Sequence, residues 1–157
     1  MKDFIIDLDI LRDGYFTETP ISEETIKHIS TGTWINGRLK SGAHSEKGFN
    51  SIKNKGWFDP DKDVTTLPNG VRTVIMSKHP NTRRRKTPHH FFPKEWTENK
   101  IRQVITQIQK DSSISKIRIT EEYYRKIAVV NNVRVVVGFN GKTNEPTQSY
   151  PDSNQNI

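Results

Sequence analysis

The chain has 157 residues, of which 25 are Lys or Arg and 18 are Asp or Glu, so its formal net charge is +7. This length is typical of one domain. No run of apolar residues approaches the roughly 18 that a membrane span needs, and the acidic start MKDFIIDLDI is unlike a signal peptide. With no cysteine, disulfides, thiol nucleophiles and Cys-ligated zinc are excluded.

The positive charge is concentrated after residue 27. Residues 1–27 contain three Lys or Arg and seven Asp or Glu, whereas residues 28–157 contain 22 and 11. A field of this sign attracts polyanions such as RNA, DNA and anionic lipid head groups. Charge alone does not choose among them, and a basic surface that only maintains solubility is the alternative.

The first third of the chain predicts one helix and a long irregular region. Residues 1–25 are a lead-in segment, in which residues 2–19 form either a short helix or a strand. Ser22 is expected to cap a helix over about residues 23–30, because its first turn is acidic. Residues 31–70 hold six glycines and few periodic apolar positions, which indicates loops of the kind that carry functional sites.

The middle of the chain predicts a strand, a basic loop and a second helix. Residues 71–76 read as a strand, and residues 78–90 as a basic loop or hairpin tip. Thr97 is expected to cap the next helix. Its apolar positions recur at helical spacing on one face, namely Ile101, Val104, Ile105 and Ile108.

The C-terminal part predicts antiparallel sheet. β-branched residues dominate from residue 114 onward, in segments 117–119, 127–130 and 133–139 separated by Asn-rich turns. Residues 152–157 are expected to fray. The sequence therefore predicts an α+β domain with N-terminal helices packed on an antiparallel sheet.

The histidines are the natural candidates for acid and base chemistry in this chain. There are five of them, His28, His44, His79, His89 and His90. RNA is cleaved without a metal when a base removes the 2′-OH proton, an acid protonates the leaving 5′-oxygen and a cation stabilises the developing charge. Two histidines and one lysine are enough for this reaction.

Three segments carry a family resemblance. They are HISTGTWINGRLKSGAHS at residues 28–45, KTPHHFFPKEWTENKIRQVI at residues 86–105 and TQSYP at residues 147–151. In this order they resemble the paired-histidine signature, the Phe-Phe-Pro-Lys-x-Trp box and the terminal Tyr-Pro box of bacterial EndoU-family endoribonuclease toxin domains. The resemblance covers roughly residues 26–151, which we take as the ribonuclease domain.

The resemblance implies roles for particular residues. His44 is expected to be the general base and His28 the general acid, with the reverse assignment left open. Lys86 is the implied cation and Tyr150 the fourth catalytic residue. Gly42 matches a glycine whose backbone N–H approaches the phosphate.

Two positions depart from the family pattern. Gln148 stands where a threonine is usual two residues before Tyr150, so the hydroxyl that contacts the base is left to Thr147 or Ser149 on either side. His90 stands where Ser or Thr usually precedes the Phe-Phe-Pro box. The predicted substrate contacts are accordingly Gly42, His90, Thr147, Gln148 and Ser149. The alternative cations are Lys78, Arg84 and Arg85.

The resemblance also implies a biological setting. The fold would belong to the barnase, EndoU, colicin and RelE group, and cleavage would give a 2′,3′-cyclic phosphate and a 5′-hydroxyl without a cofactor. The domain would be a monomeric toxin of contact-dependent growth inhibition, of the CdiA type, delivered by a bacterial carrier into the target-cell cytoplasm. Its partners would be RNA, with tRNA as one candidate, and an acidic immunity protein.

Two alternatives remain at this stage. The first is a non-catalytic RNA-binding module that uses the same basic surface. The second is a zinc hydrolase built on His44, His79, His89 and His90, although the adjacent histidine pair lacks the usual helical ligand spacing.

Overall fold

A computed structural model describes residues 5–6 and 21–156 of the chain, with side chains from residue 21 onward. Most of the predicted lead-in segment therefore lies outside the described residues. For residues 2–19 the sequence predicts either a short helix or a strand. The described part of this segment, Ile5–Ile6, is a strand. None of the helices within the described ranges is long and apolar enough to cross a membrane.

The protein is an α+β domain. Its helices are α1 (Glu23–Thr31), α2 (Glu46–Asn54), α3 (Thr82–Lys86) and α4 (Glu98–Lys110). The first six strands are β1 (Ile5–Ile6), β2 (Thr33–Ile35), β3 (Arg38–Ser41), β4 (Val64–Thr66), β5 (Arg72–Val74) and β6 (His89–Phe91). The last four are β7 (Ile117–Thr120), β8 (Tyr123–Val130), β9 (Val133–Asn140) and β10 (Pro146–Pro151). The predicted fold class is confirmed.

The largest sheet is built around the β8–β9 hairpin. β9 pairs antiparallel with β8 and with β10, while β7 and the parallel strand β1 both pair with the other edge of β8. Asn131 and Asn132 form the hairpin turn with φ of 47° and 68°. Positive φ at both positions matches the twist of the flanking strands, so the predicted turn and antiparallel strands are confirmed.

Helix α4 packs on this sheet through the face that the sequence predicts. The Thr97 hydroxyl accepts a hydrogen bond from the Lys100 N–H and caps the helix. All four periodic residues are buried with Val135 and Val137 in one hydrophobic cluster. At the other end, the Lys126 ammonium donates to the carbonyl oxygens of Ile108, Gln109 and Asp111 and thereby satisfies carbonyl groups that a helix end leaves unpaired.

A second hydrophobic cluster lies under the more irregular half of the domain, which contains the β2–β3 hairpin, α2 and the three-stranded sheet β4–β5–β6. Its buried members are Leu39, Ala43, Ile52, Trp57, Phe58, Val74, Met76 and Phe91. The strand predicted over residues 71–76 is observed as the shorter strand β5. The predicted basic loop 78–90 instead contains α3 and the first two residues of β6. β6 forms because β5 supplies a pairing partner distant in sequence.

The C-terminal segment differs from the expected frayed tail in its described part, residues 152–156. The Gln155 side chain accepts a hydrogen bond from the Arg134 N–H and donates one to the Arg134 carbonyl. The Arg134 guanidinium in turn donates to the carbonyl oxygens of Asn154 and Asn156. These polar contacts order a segment that has little apolar surface to bury.

Candidate active site

The backbone brings His28 and His44 together. The last carbonyl groups of an α-helix lack intrahelical partners, and in α1 the segment after β3 supplies the missing donors. The N–H groups of Ala43 and His44 donate to the carbonyl oxygens of His28 and Ile29, at 3.1 and 2.7 Å. The loop carrying the second histidine is therefore fastened to the helix turn carrying the first.

Gly42 permits this close approach. It has a φ of +81°, and a Cβ at this position would lie 2.0 Å from the His28 carbonyl oxygen. Only glycine fits a left-handed residue pressed against another backbone. The predicted contact between the Gly42 N–H and a phosphate stays a prediction, while the structure gives the glycine a packing role.

Each of the two imidazoles is anchored through Nδ1. The His44 Nδ1–H donates to the His90 carbonyl oxygen at 2.7 Å. His28 Nδ1 lies 2.7 Å from the Thr33 hydroxyl. Among the described residues, neither Nε2 has a hydrogen-bond partner, so both are available to a substrate.

His89 stacks on His44 with ring centroids 4.7 Å apart and an interplanar angle of 14°. It is 8 % exposed, and its Nε2–H donates to the Ala43 carbonyl oxygen at 2.9 Å. Burial lowers the pKa of His89 to about 4, so the ring is neutral near pH 7. The sequence gives His89 only as one of five acid–base candidates and as a zinc ligand in the alternative interpretation. The in-and-out alternation of a strand around the Phe-Phe-Pro box is the signal for its burial.

The electrostatics of the site favour a neutral His44. Burial lowers the pKa of His44 well below the ordinary imidazole value, and positive charge on His89 and His28 lowers it further, against the opposing effect of the bond to the His90 carbonyl. Partial burial also lowers the pKa of His28. A ring that is neutral near pH 7 is suited to accept a proton.

Tyr150 lies beside His44, with ring centroids 5.6 Å apart. Burial raises the pKa of the Tyr150 hydroxyl, while the Arg125 guanidinium lowers it; Arg125 was not among the predicted site residues. Gln148, two residues earlier on β10, donates to the Tyr123 hydroxyl at 2.6 Å. Residues two apart on a strand point to the same face of the sheet, so Gln148 and Tyr150 share one face. The loop that carries His44 approaches this face.

The two hydroxyls flanking Gln148 have different surroundings. The Ser149 side chain is fully buried, and its hydroxyl donates to the Val136 carbonyl oxygen at 2.9 Å. Its predicted substrate contact is at odds with this placement, because strand alternation turns Ser149 into the core. Thr147 is exposed, and its hydroxyl donates to the Gly138 carbonyl oxygen at 3.3 Å.

The predicted cation Lys86 is the last residue of α3 and is exposed. Within the described part of the chain, no hydrogen bond or ion pair fixes it toward His28 or His44. Arg84, one of the alternatives, is fixed: its Nη2 donates to the carbonyl oxygens of Leu39 and Lys40 at 3.0 and 2.5 Å. Its positive charge also lowers the pKa of His89.

His90 holds His44 through its backbone carbonyl rather than its side chain. Its imidazole is half-buried, with Nδ1 3.1 Å from the Thr73 hydroxyl. Burial lowers the pKa of this ring, while the negative charge of Asp152 raises it. The predicted substrate contact of His90 stays a prediction.

The zinc alternative fails on the placement of its histidines. Among residues 21–156, no group of three or more His, Asp or Glu side chains is arranged so that it could hold a metal ion. His79 packs on Trp57 with ring centroids 4.2 Å apart, whereas His44 stacks on His89. The four proposed ligands therefore do not converge on one point.

A sequence model of the family described as Bacterial EndoU nuclease matches residues 22–153. None of the curated proteins and none of the solved structures shows a significant match. The family match spans both histidines, α4 and all of the strands from β2 to β10. The chain therefore belongs to the bacterial EndoU nuclease family.

Proposed function

We propose that this domain is an endoribonuclease that cleaves RNA by transesterification. The 2′-oxygen of the substrate attacks the adjacent phosphorus, the bond to the 5′-oxygen breaks, and the products are a 2′,3′-cyclic phosphate and a 5′-hydroxyl. The observation that carries the proposal is the pair His28 and His44, each anchored through Nδ1 with Nε2 unpartnered among the described residues. DNA lacks the attacking hydroxyl and would not be cut by this route.

His44 is suited to be the general base. A carbonyl oxygen only accepts hydrogen bonds, so the bond to His90 places the proton of the neutral ring on Nδ1. Nε2 then carries the free lone pair. The lowered pKa of His44 keeps this form populated near neutral pH, and Nε2 takes the proton of the 2′-OH as the phosphorus is attacked.

His28 is suited to be the general acid. In the protonated ring, Nδ1–H donates to the Thr33 hydroxyl and Nε2–H is left for the leaving 5′-oxygen. The 2′-OH proton ends on His44 and the His28 proton ends on the 5′-oxygen. Proton exchange with solvent restores both rings before the next turnover.

Developing negative charge on the phosphate needs a cation. Lys86 is the cation implied by the family resemblance, and it is free to move toward a bound substrate because it is exposed on a five-residue helix. Arg84 is an alternative, since its positive charge already acts on His89. Tyr150 would position the ribose or phosphate next to His44.

The test is a cleavage assay with a labelled RNA oligonucleotide and total tRNA, in EDTA. We expect wild type to give cyclic-phosphate ends and His28→Ala or His44→Ala to lose about a hundredfold to ten-thousandfold in rate. Lys86→Ala and Arg84→Ala would show which cation acts. Lys142→Ala, an exposed lysine paired with Glu122, is the matched control.

Unchanged cutting by His44→Ala would refute the proposed base. Salt-sensitive RNA binding that survives both histidine substitutions, with no cutting by wild type, would favour the non-catalytic RNA-binding alternative instead.

The toxin setting is a further part of the proposal. We propose that the domain is delivered by a bacterial carrier and acts as a monomer, and that an acidic immunity protein neutralises it. The excess of basic residues after residue 27 supports such a partner through charge complementarity. Expression in a bacterial cytoplasm should arrest growth, and His44→Ala should abolish the arrest.

A further inference from the structure

A basic pocket of about 530 Å³ lies beside the candidate active site, between β3 and the segment that leads into α3. The residues that matter for its chemistry are Arg38, Lys40, Trp57, His79, Asn81 and Arg84. Three of these side chains are cations. No Asp or Glu is found in the described lining, so the pocket presents one sign of charge.

The three cations, Arg38, Lys40 and Arg84, have no carboxylate partner among residues 21–156. Arg84 uses Nη2 on two backbone carbonyls, and burial lowers the pKa of its guanidinium. Uncompensated cations that share a partly desolvated pocket attract an anion more strongly than dispersed surface charges do.

His79 supplies a second, independent feature of the pocket. It is 4 % exposed, and its Nδ1 accepts a hydrogen bond from the Asn81 N–H at 2.9 Å. The neutral ring must then carry its proton on Nε2, and this buried atom has no hydrogen-bond partner among the described residues. A buried polar atom without a partner calls for a functional or structural reason. Positive charge on Arg84, Arg85 and Arg38 adds to burial in lowering the pKa of His79.

The pocket lies close to His89, which stacks on the proposed base. A second cavity of about 280 Å³ shares Asn81 and Arg84 with the pocket, and His89 is also among its lining residues. His89 stacks on His44, the proposed base. Lys40 lies in β3, two residues before Gly42 and the segment that fastens His44 to α1. An RNA strand with its scissile phosphate at His44 would therefore extend toward this pocket.

We propose that the basic pocket binds a backbone phosphate of the RNA strand outside the scissile linkage, with Arg38, Lys40 and Arg84 as its cationic ligands. This inference rests on the proposed function and names an additional contact for the same substrate. Phosphate oxygens accept hydrogen bonds from guanidinium and ammonium groups, and a phosphate carries the negative charge that the pocket lacks. The contact would position the strand without reading its bases.

The first test measures binding of a single-stranded RNA of about twelve nucleotides to variants that also carry His44→Ala, so that the RNA is not cut. We expect the double substitution Arg38→Gln with Lys40→Gln to weaken binding about tenfold and to reduce the salt slope of log K by about 1. The matched control is Lys62→Gln with Lys142→Gln, two exposed lysines outside the pocket. Equal affinity and equal slope in both double variants would overturn the proposal.

The second test needs no pocket substitution and so does not depend on how those variants fold. In the His44→Ala protein, the His79 ring is titrated by NMR with and without a single-stranded DNA of about twelve nucleotides, which cannot be cleaved. We expect the oligonucleotide to raise the pKa of His79, because a nearby phosphate offsets the surrounding positive charge. A His79 titration that does not move, while His28 responds, would contradict the pocket assignment.

The two proposals fail in different ways. Loss of cleavage in His44→Ala together with control-like RNA binding by the pocket variant would reject the pocket and keep the ribonuclease. Unchanged cleavage in His44→Ala would reject the ribonuclease mechanism whatever the pocket binds.

Discussion

The two halves of the domain are held together differently. In the sheet half, formed by α1, α4 and β7 to β10, most of the buried core side chains are aliphatic. The buried Lys126 ammonium of β8 binds carbonyl oxygens at the C-terminal end of α4. In the irregular half, charged and polar groups lie against aromatic rings: the Arg72 guanidinium over Phe49 at 4.3 Å, His79 on Trp57.

The comparison shows where the chemistry sits. The sheet half is a regular scaffold, and it contributes His28 from α1 and Tyr150 from an edge strand. The irregular half supplies His44 and His89, and their positions depend on close backbone contacts and on polar groups that each need a partner. We therefore expect single substitutions in the irregular half to disturb both stability and activity. Comparable polar changes in the sheet half, away from His28 and Tyr150, should disturb stability alone.

Gly42→Ala should produce the largest effect. The added methyl group would meet the His28 carbonyl oxygen at 2.0 Å and force the two histidine segments apart. We expect a loss of about 4 kcal/mol in the free energy of unfolding and of about a hundredfold in kcat/KM. Gly56→Ala is the control, because it has a φ of +73° with nothing within 4 Å of its Cβ, and it should cost about 1 kcal/mol with normal kinetics.

Arg72→Met should come next. The buried guanidinium pairs with Glu46 at 2.6 Å and donates to the Phe92 carbonyl oxygen at 3.0 Å, so its removal leaves both without a partner. Denaturant unfolding should show a loss of about 3 to 4 kcal/mol. In the sheet half, Arg102→Met removes a more exposed pair with Glu23 and should cost less than about 1 kcal/mol. Equal losses would remove the distinction between the halves.

The pH dependence of stability tests His89. Its folded-state pKa of about 4 lies below the unfolded value of about 6.5, so the unfolded chain binds the proton first as the pH falls. Stability should be full above about pH 6.5 and should decline by roughly 3 kcal/mol toward pH 4 from this group alone. The check is to measure the free energy of unfolding of wild type and of His89→Gln across this pH range. Because the variant lacks the imidazole, its free energy of unfolding should fall less than that of wild type. If the free energy of unfolding had the same pH dependence in both proteins, groups other than His89 would be its cause.

Lys126→Met should have the smallest effect of the four. It removes the donor for three carbonyl oxygens at the end of α4 but leaves an apolar stem that fills a similar volume. We expect a loss of about 1 to 2 kcal/mol by thermal or denaturant unfolding. Cleavage should be normal, in keeping with a sheet half that acts as scaffold. A tenfold loss of kcat/KM in this variant would contradict that separation.

The sequence predicts the sheet half well because its signals are local. Periodic apolar residues define α4, and alternating β-branched residues around an Asn-Asn turn define the β8–β9 hairpin. The irregular half was harder: β6 depends on pairing with β5, and the stacking of His89 on His44 depends on that pairing. The pairing of the histidines came from motif resemblance, since nothing periodic in residues 28–45 indicates it.

Some polar contacts left no sequence signal at all. The bonds that hold Gln155 to Arg134 join residues about twenty positions apart and follow no repeat. Ser149 could have been assigned to the core by alternation along its strand. The TQSYP motif instead led to the prediction that the Ser149 hydroxyl contacts the substrate.

The central claim is that two imidazoles, anchored through Nδ1, act on one phosphate as base and acid. The pH profile of kcat/KM for RNA cleavage tests it most directly, because it reports the pKa values of the free enzyme. Both pKa values are lowered, and that of His44 more than that of His28. The account predicts a bell whose two limbs both lie below about pH 6.5, the acidic limb vanishing in His44→Ala. An optimum above pH 7, or an acidic limb that survives in that variant, would contradict it.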